Sequence, residues 1–185
     1  MNAATNPFRT ECVTALPFVP QGESWAQLFS NLEALGYRGA IVGPCGSGKT
    51  TLLESLVSHL EEKGFQVHFY RLDTQTRHMP RHFWKKSWQM SDALLLDGAE
   101  QLAVWEWQRL KWKTRGACAF IITSHHEGQL PTWLRAETSP ALLAMLCVQL
   151  GVTLTDEEVE AIYRTHEGNI RECLLHLYDS MASFP

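Results

Sequence analysis

The chain has 185 residues, five cysteines and a formal net charge of −4. This length suits one α/β domain, or a core with a small appendage, and is ample for a buried core without disulfides or metal. The odd number of cysteines, with no C-x-x-C pair, indicates free thiols in a reducing compartment, so we expect a cytoplasmic protein. Neither a signal peptide nor an apolar run long enough to span a bilayer occurs, which argues against a membrane protein.

The first 42 residues predict an arm, a helix and a strand. Residues 1–21 contain three prolines and are predicted to be an extended arm, because proline does not fit a helix interior. A helix is predicted from an N-cap at Ser24 to about Leu35, where Gly36 ends it. The short apolar run Gly39–Val42 then predicts a buried strand.

Residues 43–50, GPCGSGKT, match the phosphate-loop pattern G-x-x-x-x-G-K-[ST] at every fixed position. The loop joins the strand to a helix predicted over 51–62, and its glycines let backbone N–H groups converge where the helix dipole favours an anion. Lys49 is expected to reach the β- and γ-phosphates, and the Thr50 hydroxyl to coordinate Mg²⁺. Cys45 is either a small loop residue or a redox-sensing thiol. The predicted nucleotide-binding residues are Gly43, Pro44, Cys45, Gly46, Ser47, Gly48, Lys49, Thr50 and Thr51.

The rest of the chain alternates strands and helices before ending in helices. Strands are predicted over 67–72, 93–96 and 117–124, with a short edge strand within 130–137. Helices are predicted over 99–113, 139–150, 155–165 and 169–181. The predicted fold is therefore α/β, the three-layer αβα arrangement of the P-loop NTPases, with a parallel sheet and the ligand at the carboxyl ends of its strands.

Two acidic residues follow the buried run in ALLLDGAE, residues 93–100. Asp97 would emerge beside the phosphates, where it can hold a Mg²⁺-bound water, and it can also cap the helix predicted from Ala99. Glu100 is either the base that polarises the attacking water or a carboxylate that complements the helix dipole. The predicted metal residues are Thr50 and Asp97.

The next strand ends in FIITSHHE, residues 120–127. Thr123 or Ser124 can hydrogen-bond the γ-phosphate or the attacking water, although either can also be a plain strand-terminal hydroxyl. The adjacent His125, His126 and Glu127 cannot converge easily on one ion, so no zinc site is expected there.

These motifs resemble those of the additional-strand P-loop ATPases and, within them, the AAA+ group, from about Phe18 to Asp179. GPCGSGKT is similar to Walker A, ALLLDGAE to Walker B, FIITSHH to the sensor 1 strand and EGNIRECLLHLYD to the sensor 2 helix of a lid. The resemblance implies ATP hydrolysis with Mg²⁺. It implies catalytic roles for Lys49, Asp97, Glu100, Thr123 and Arg171, the last over the γ-phosphate, although Arg171 can also be a solvated helix residue.

We expect three regions, the arm over 1–21 that its prolines predict and, as the resemblance implies, a P-loop ATPase core over 22–138 and a small C-terminal helical lid over 139–185. The outline is most similar to the small TniB, IstB and Orc/Cdc6 ATPases. Two features differ from the usual AAA+ pattern. Gly98 takes the place of the glutamate that usually follows the Walker B aspartate, and little room remains after the sensor 1 strand for an arginine-finger helix, which leaves the oligomeric state open.

Basic and aromatic side chains alternate in two segments, Arg77–Trp88 and Trp105–Arg115. From Arg77 to Arg115 the chain holds eight Lys/Arg and four Asp/Glu, a local charge of +4. Cations for phosphates and aromatic faces for bases favour DNA or RNA binding. A protein-docking surface is an equal alternative, and a third is that Phe83, Trp84 and Trp88 anchor a helix on the sheet. In that case Trp105 and Trp112 would share a core-facing stripe with Leu102.

Three classes of function fit the sequence. The first is an ATPase that couples its nucleotide state to a nucleic-acid or protein partner. The second is a small-molecule kinase, although the sequence has no arginine-rich lid after the strand that ends at Ser124. The third is an assembly module with little hydrolysis, which would agree with Gly98 in the place of the usual glutamate. A GTPase is disfavoured because no N-K-x-D motif occurs, and no ABC signature is present.

Overall fold

A computed structural model describes residues 5–182, in which five strands and eight α-helices occur. The strands are β1 Arg38–Val42, β2 Gln66–Arg71, β3 Asp92–Asp97, β4 Ala119–Ser124 and β5 Thr132–Arg135. The helices are α1 Thr10–Thr14, α2 Trp25–Ala34, α3 Lys49–Glu62, α4 Arg81–Lys85, α5 Val104–Lys113, α6 Pro140–Gln149, α7 Asp156–Thr165 and α8 Ile170–Ala182. Single-turn 3-10 helices occupy Ala99–Gln101 and Thr114–Gly116.

Contacts divide the described chain into two compact units. Residues 20–43 and 48–136 form one, here called the sheet unit, and residues 5–19, 44–47 and 137–182 form the other, here called the helical unit. The three regions predicted from the sequence, 1–21, 22–138 and 139–185, are not tested by this division and stay a prediction.

The sheet unit is built on five parallel strands in the order β2-β3-β4-β1-β5. β3 and β4 are buried along their whole length, as expected for central strands of a parallel sheet covered on both faces. The arrangement is the three-layer α/β fold of the P-loop NTPases, which confirms the predicted fold class. The edge strand predicted within residues 130–137 is β5, which pairs with β1.

Aromatic side chains cover one face of the sheet. Phe83 is fully buried and Trp88 is 9% exposed, and both belong to a core cluster with Trp107 and Phe120, against which Trp84 packs. The prediction that Phe83, Trp84 and Trp88 anchor a short helix on the sheet is therefore confirmed, and that helix is α4.

The core-facing stripe predicted for Trp105 and Trp112 is wrong, because these side chains are 63% and 66% exposed. The helix predicted over 99–113 is interrupted at Leu102 and Ala103, whose backbones are extended with ψ of 137° and 149°. This break resets the helical phase. The buried face of α5 therefore carries Glu106, Trp107 and Leu110.

Glu106 is a buried carboxylate that ties α5 to the segment before α4. Its Oε1 accepts the backbone N–H of Met79 at 2.9 Å, and its Oε2 lies 2.7 Å from Nδ1 of His78. Glu106 is only 2% exposed, and burying a carboxylate is costly unless its oxygens have partners. These two contacts provide a partner for each oxygen.

Replacing Glu106 by alanine should lower the free energy of unfolding by about 2 kcal/mol, because the buried Met79 N–H would lose a charged acceptor. Glu106→Gln keeps an acceptor for Met79 and should cost less. Urea denaturation of the three proteins measures the difference. Equal stability of the alanine variant and the parent protein would contradict this assignment.

The helical unit is built from segments that lie far apart in the sequence. Phe8 is 3% exposed and shares a core cluster with Leu143 and Leu174, and the side chain of Asn6 donates to the Tyr178 carbonyl at 2.9 Å. The prediction of an extended arm without helix is wrong for residues 10–14, which form α1. The prolines of the arm lie outside residues 8–16, so this stretch is free to form a helical turn.

Several helices begin at the residues that the sequence indicated. Ser24 caps α2 and Thr155 caps α7, each in a reciprocal capping box with the residue three positions on. Ser139 accepts a hydrogen bond from the backbone of Leu142 at the start of α6. Among the helices in residues 5–182, none combines the length and apolar character needed to cross a bilayer.

Candidate active site

The loop after β1 has the backbone conformation of a phosphate-binding loop. Gly46 and Gly48 have φ of 74° and 80°, in the left-handed region where glycine is favoured. α3 begins at Lys49, two residues before its predicted start, with Gly48 as its N-cap. The free N–H groups at the start of a helix of 14 residues thus follow the turn directly.

Lys49 lies over its own loop. Its side chain reaches back so that Nζ donates to the Gly43 carbonyl at 2.7 Å, and the residue is only 9% exposed. The ammonium group is thereby held at the mouth of the loop, at the carboxyl edge of the sheet.

Asp97, the last residue of β3, connects three elements. Its Oδ2 accepts the hydroxyl of Thr50 at 2.9 Å and Nε of Arg71 at 3.1 Å, and its Oδ1 accepts the hydroxyl of Thr123 at 2.6 Å. Thr50 is the last residue of the phosphate-loop pattern and lies in the first turn of α3, and Thr123 lies near the end of β4. The structure therefore brings the two predicted metal residues, Thr50 and Asp97, into contact.

Thr123 is 1% exposed, and its hydroxyl is engaged on both sides. It donates its proton to Asp97 and accepts the backbone N–H of Gly98 at 2.8 Å. This arrangement gives Thr123 the role of fixing Asp97, while its predicted contact with the γ-phosphate or water stays a prediction. The neighbouring Ser124 donates to the His126 carbonyl at 2.8 Å.

Gly98 explains why no glutamate follows Asp97. Its φ is +79°, and a Cβ at this position would collide with the carbonyl oxygen of Leu72. Both the conformation and the space therefore require glycine. The nearest acidic side chain after Asp97 is Glu100, on the 3-10 turn Ala99–Gln101.

Glu100 and His125 meet beside the phosphate loop. Nε2 of His125 lies 3.4 Å from Oε1 of Glu100, and Nδ1 of His125 lies 3.1 Å from the carbonyl oxygen of Gly43. The two ring nitrogens of His125 therefore face two oxygens, one on Glu100 and one on the phosphate loop. Oε2 of Glu100 is buried and has no hydrogen-bond partner among residues 5–182.

Arg71 belongs to the site although the sequence analysis did not select it. It ends β2 directly beside Asp97 in the strand register, and its NH2 donates to Glu54 at 2.7 Å. Partial burial acts to lower the pKa of Arg71, but Glu54 and Asp97 together raise it above its usual value. The sequence held one signal for Arg71, its position at the end of a predicted strand. Parallel strands end at the same edge of a sheet, so a residue at that position lies near the site.

Of the remaining predicted residues, Thr51 lies in α3, and Pro44, Cys45, Gly46, Ser47 and Arg171 lie in the helical unit. Residues 44–47 group with it by their contacts, and the Asn169 side chain occupies the place that a Cβ on Gly46 would take. Arg171 is exposed in the first turn of α8, and its predicted role at the γ-phosphate stays a prediction. Cys45 carries an exposed thiol that is not part of a disulfide.

Within the described part of the chain, no group of three or more His, Cys, Asp or Glu side chains could hold a metal ion. The oxygen pair of Thr50 and Asp97 would form a different kind of site, because a Mg²⁺ ion bound with phosphates needs only one or two protein ligands.

Comparisons with known proteins find a likeness in structure. No protein-family model and no curated protein sequence matches the chain. The solved structure of a single-residue variant of RuvB from Thermotoga maritima is similar, with a TM-score of 0.56 and 17% sequence identity. At this level of identity the likeness is one of fold, which the chain shares with RuvB. The match covers 86% of this chain but 61% of the RuvB chain, so the chain spans less than two thirds of that protein. The finer resemblance to the TniB, IstB and Orc/Cdc6 groups stays a prediction.

Proposed function

We propose that this chain is a Mg²⁺-dependent ATPase that couples its nucleotide state to a nucleic-acid or protein partner. The observation that carries the proposal is the hydrogen-bonded connection of Thr50, Asp97 and Thr123 beside a complete phosphate loop. A glycine-rich turn without a nucleotide role has no need of a buried carboxylate at that point. The free thiols agree with a cytoplasmic location.

The donor atoms of Thr50 and Asp97 fit Mg²⁺. Their oxygens are 2.9 Å apart, and adjacent ligands of an octahedral Mg²⁺ ion are about 2.9 Å apart. Thr50 would bind the ion directly, and Asp97 directly or through a bound water. When bound, Mg²⁺ neutralises the phosphate charge. Arg71 would then leave Asp97 and keep its second partner, Glu54.

Lys49 would exchange one partner for another on nucleotide binding. Its bond to the neutral Gly43 carbonyl is weaker than a bond to a phosphate oxygen, where donor and acceptor carry opposite charges. The β- and γ-phosphates would therefore draw the ammonium group away from the loop backbone. Arg171 is proposed as a second cation for the γ-phosphate.

Glu100 is proposed as the base for the attacking water, and His125 as the residue that positions it. His125 lies 3.4 Å from Oε1, and Oε2 has no hydrogen-bond partner among residues 5–182, so Oε2 would accept the proton once the attacking water reaches it. His125 also contacts Gly43, which ties the orientation of the base to the phosphate loop.

Three measurements on the purified chain test the proposal. Calorimetry with ATP and Mg²⁺ measures binding, phosphate release measures hydrolysis, and transfer of labelled γ-phosphate to small-molecule acceptors tests for a kinase. We expect binding that requires Mg²⁺ and phosphate release without any acceptor. Tight binding with no release under any condition would favour the assembly module. Release only with an acceptor that becomes phosphorylated would favour the kinase.

Replacing His125 by alanine should lower kcat about tenfold or more, because a misplaced base loses proton-transfer efficiency. The Kd for ATP should change little, since Lys49 and the loop backbone remain. His126→Ala is the matched control, because His126 is adjacent and exposed. Phosphate release measures kcat and calorimetry measures the Kd for ATP in both variants. A loss of ATP affinity with unchanged kcat in His125→Ala would contradict the positioning role.

A further inference from the structure

One face of α5 exposes two large aromatic side chains to solvent. Trp105 is 63% and Trp112 is 66% exposed, and Arg109 lies between them on the same face at the i, i+4 and i+7 positions. Seven residues of α-helix place the two indoles about 10 Å apart along the axis. Indole rings are costly to leave in water, so this face is a candidate for contact with another molecule.

The exposed face of α5 continues onto α4. The guanidinium of Arg109 stacks over the ring of Trp84, 4.2 Å from its centroid. Arg81 and Lys85 lie on α4 within one turn of Trp84, and both are exposed. We call this surface the α4–α5 face; its members are Arg81, Trp84, Lys85, Trp105, Arg109 and Trp112.

The acidic side chains of residues 77–115 are turned away from solvent. Asp92, Asp97 and Glu106 are 1%, 8% and 2% exposed, and the side chain of Glu100 is 21% exposed beside His125. The exposed cations of the same stretch are Arg77, Arg81, Lys85, Arg109 and Arg115. The local charge of +4 therefore understates the positive charge that this stretch presents at the surface.

We propose that the α4–α5 face binds single-stranded nucleic acid, with phosphates on its cations and bases stacked on Trp105 and Trp112. This deepens, and rests on, the partner part of the proposed function. Within residues 77–115 the exposed charged side chains are cations, which complement a polyanion, whereas a protein surface usually offers both signs of charge. Duplex bases are already stacked inside the helix, so only an unpaired strand offers base faces to the indoles.

Fluorescence polarisation with labelled single strands of DNA and RNA, and with the matched duplex, tests the proposal on the full chain without nucleotide. We expect single strands to bind more tightly than the duplex. The logarithm of the binding constant should fall linearly with the logarithm of salt concentration, by about 0.7 for each phosphate contact.

Replacing Trp105 or Trp112 by alanine should weaken binding of a single strand roughly fivefold or more each. Arg109→Gln should reduce the salt slope by about 0.7. Leu175→Ala and Arg164→Gln are matched controls, because they remove an exposed apolar side chain and an exposed cation from the helical unit. All five variants should keep the parent melting temperature, since these side chains are exposed.

The outcomes separate this inference from the ATPase proposal. Lys49→Ala should still bind single strands, because the α4–α5 face contains no phosphate-loop residue. Strand binding without ATP binding in the parent protein would overturn the ATPase alone. No salt-dependent binding of single strands at micromolar protein, or tryptophan variants that bind like the parent, would overturn the nucleic-acid inference. The face would then be a protein-docking surface.

Discussion

Replacing Lys49 by alanine should weaken ATP binding about 10- to 100-fold and reduce hydrolysis by about 10² to 10³-fold. The first effect follows from the loss of charge-assisted hydrogen bonds to the β- and γ-phosphates. The second follows because charge that develops on those phosphates in the transition state loses its nearest side-chain cation. Calorimetric titration with ATP and Mg²⁺ measures the first effect, and phosphate release measures the second.

Lys63→Ala is the matched control for this experiment. Lys63 lies at the opposite end of α3, where it pairs with Glu33 in an exposed ion pair of 2.7 Å. Its removal changes the net charge equally but leaves the phosphate loop untouched. Unchanged ATP affinity in Lys49→Ala would remove the basis for a nucleotide site at this loop, provided that the variant melts like the parent.

Replacing Glu100 by glutamine should slow turnover by about 10²-fold and leave ATP affinity unchanged. The amide cannot accept a proton from water, yet its size is nearly that of the carboxylate. The effect should appear in a single turnover, because it concerns the chemical step and not product release. Rapid-quench measurement of phosphate formation with excess enzyme makes this distinction.

Glu127→Gln provides the comparison for Glu100→Gln, because Glu127 is an exposed carboxylate two residues after His125 that pairs with Arg135. If Glu100→Gln turns over like the parent, the water is activated elsewhere, and Thr123, Ser124 and His125 become the candidates. A second change, Gly98→Glu, should not restore activity to Glu100→Gln, because the Leu72 carbonyl blocks a side chain at that position.

Local patterns in the sequence were sufficient where local physics decides the structure. The phosphate loop and the strand that ends at Asp97 depend on residues adjacent in the chain, and both were predicted. The phase of α5 was not, because two extended residues, Leu102 and Ala103, interrupt a pattern that reads as one helix. Apolar spacing alone cannot reveal such a break.

The features that the sequence analysis missed depend on contacts between distant residues. Arg71 reaches Asp97 only because β2 and β3 pair in a particular register. The partnership of Glu100 with His125 likewise requires the ends of β3 and β4 to be neighbours. Knowledge of strand order was needed before either pair could be proposed.

The composition of the helical unit has a consequence for synthesis of the protein. Asn6 and Tyr178, which share a hydrogen bond, are 172 residues apart in the chain. At ribosomal rates of about 5 to 20 residues per second, Phe8 is made roughly 10 to 30 seconds before the residues of α8 that bury it. The sheet unit, largely continuous from residue 20 to residue 136, can form during that interval. Residues 5–19 must therefore stay soluble on the nascent chain until translation delivers the rest of their core.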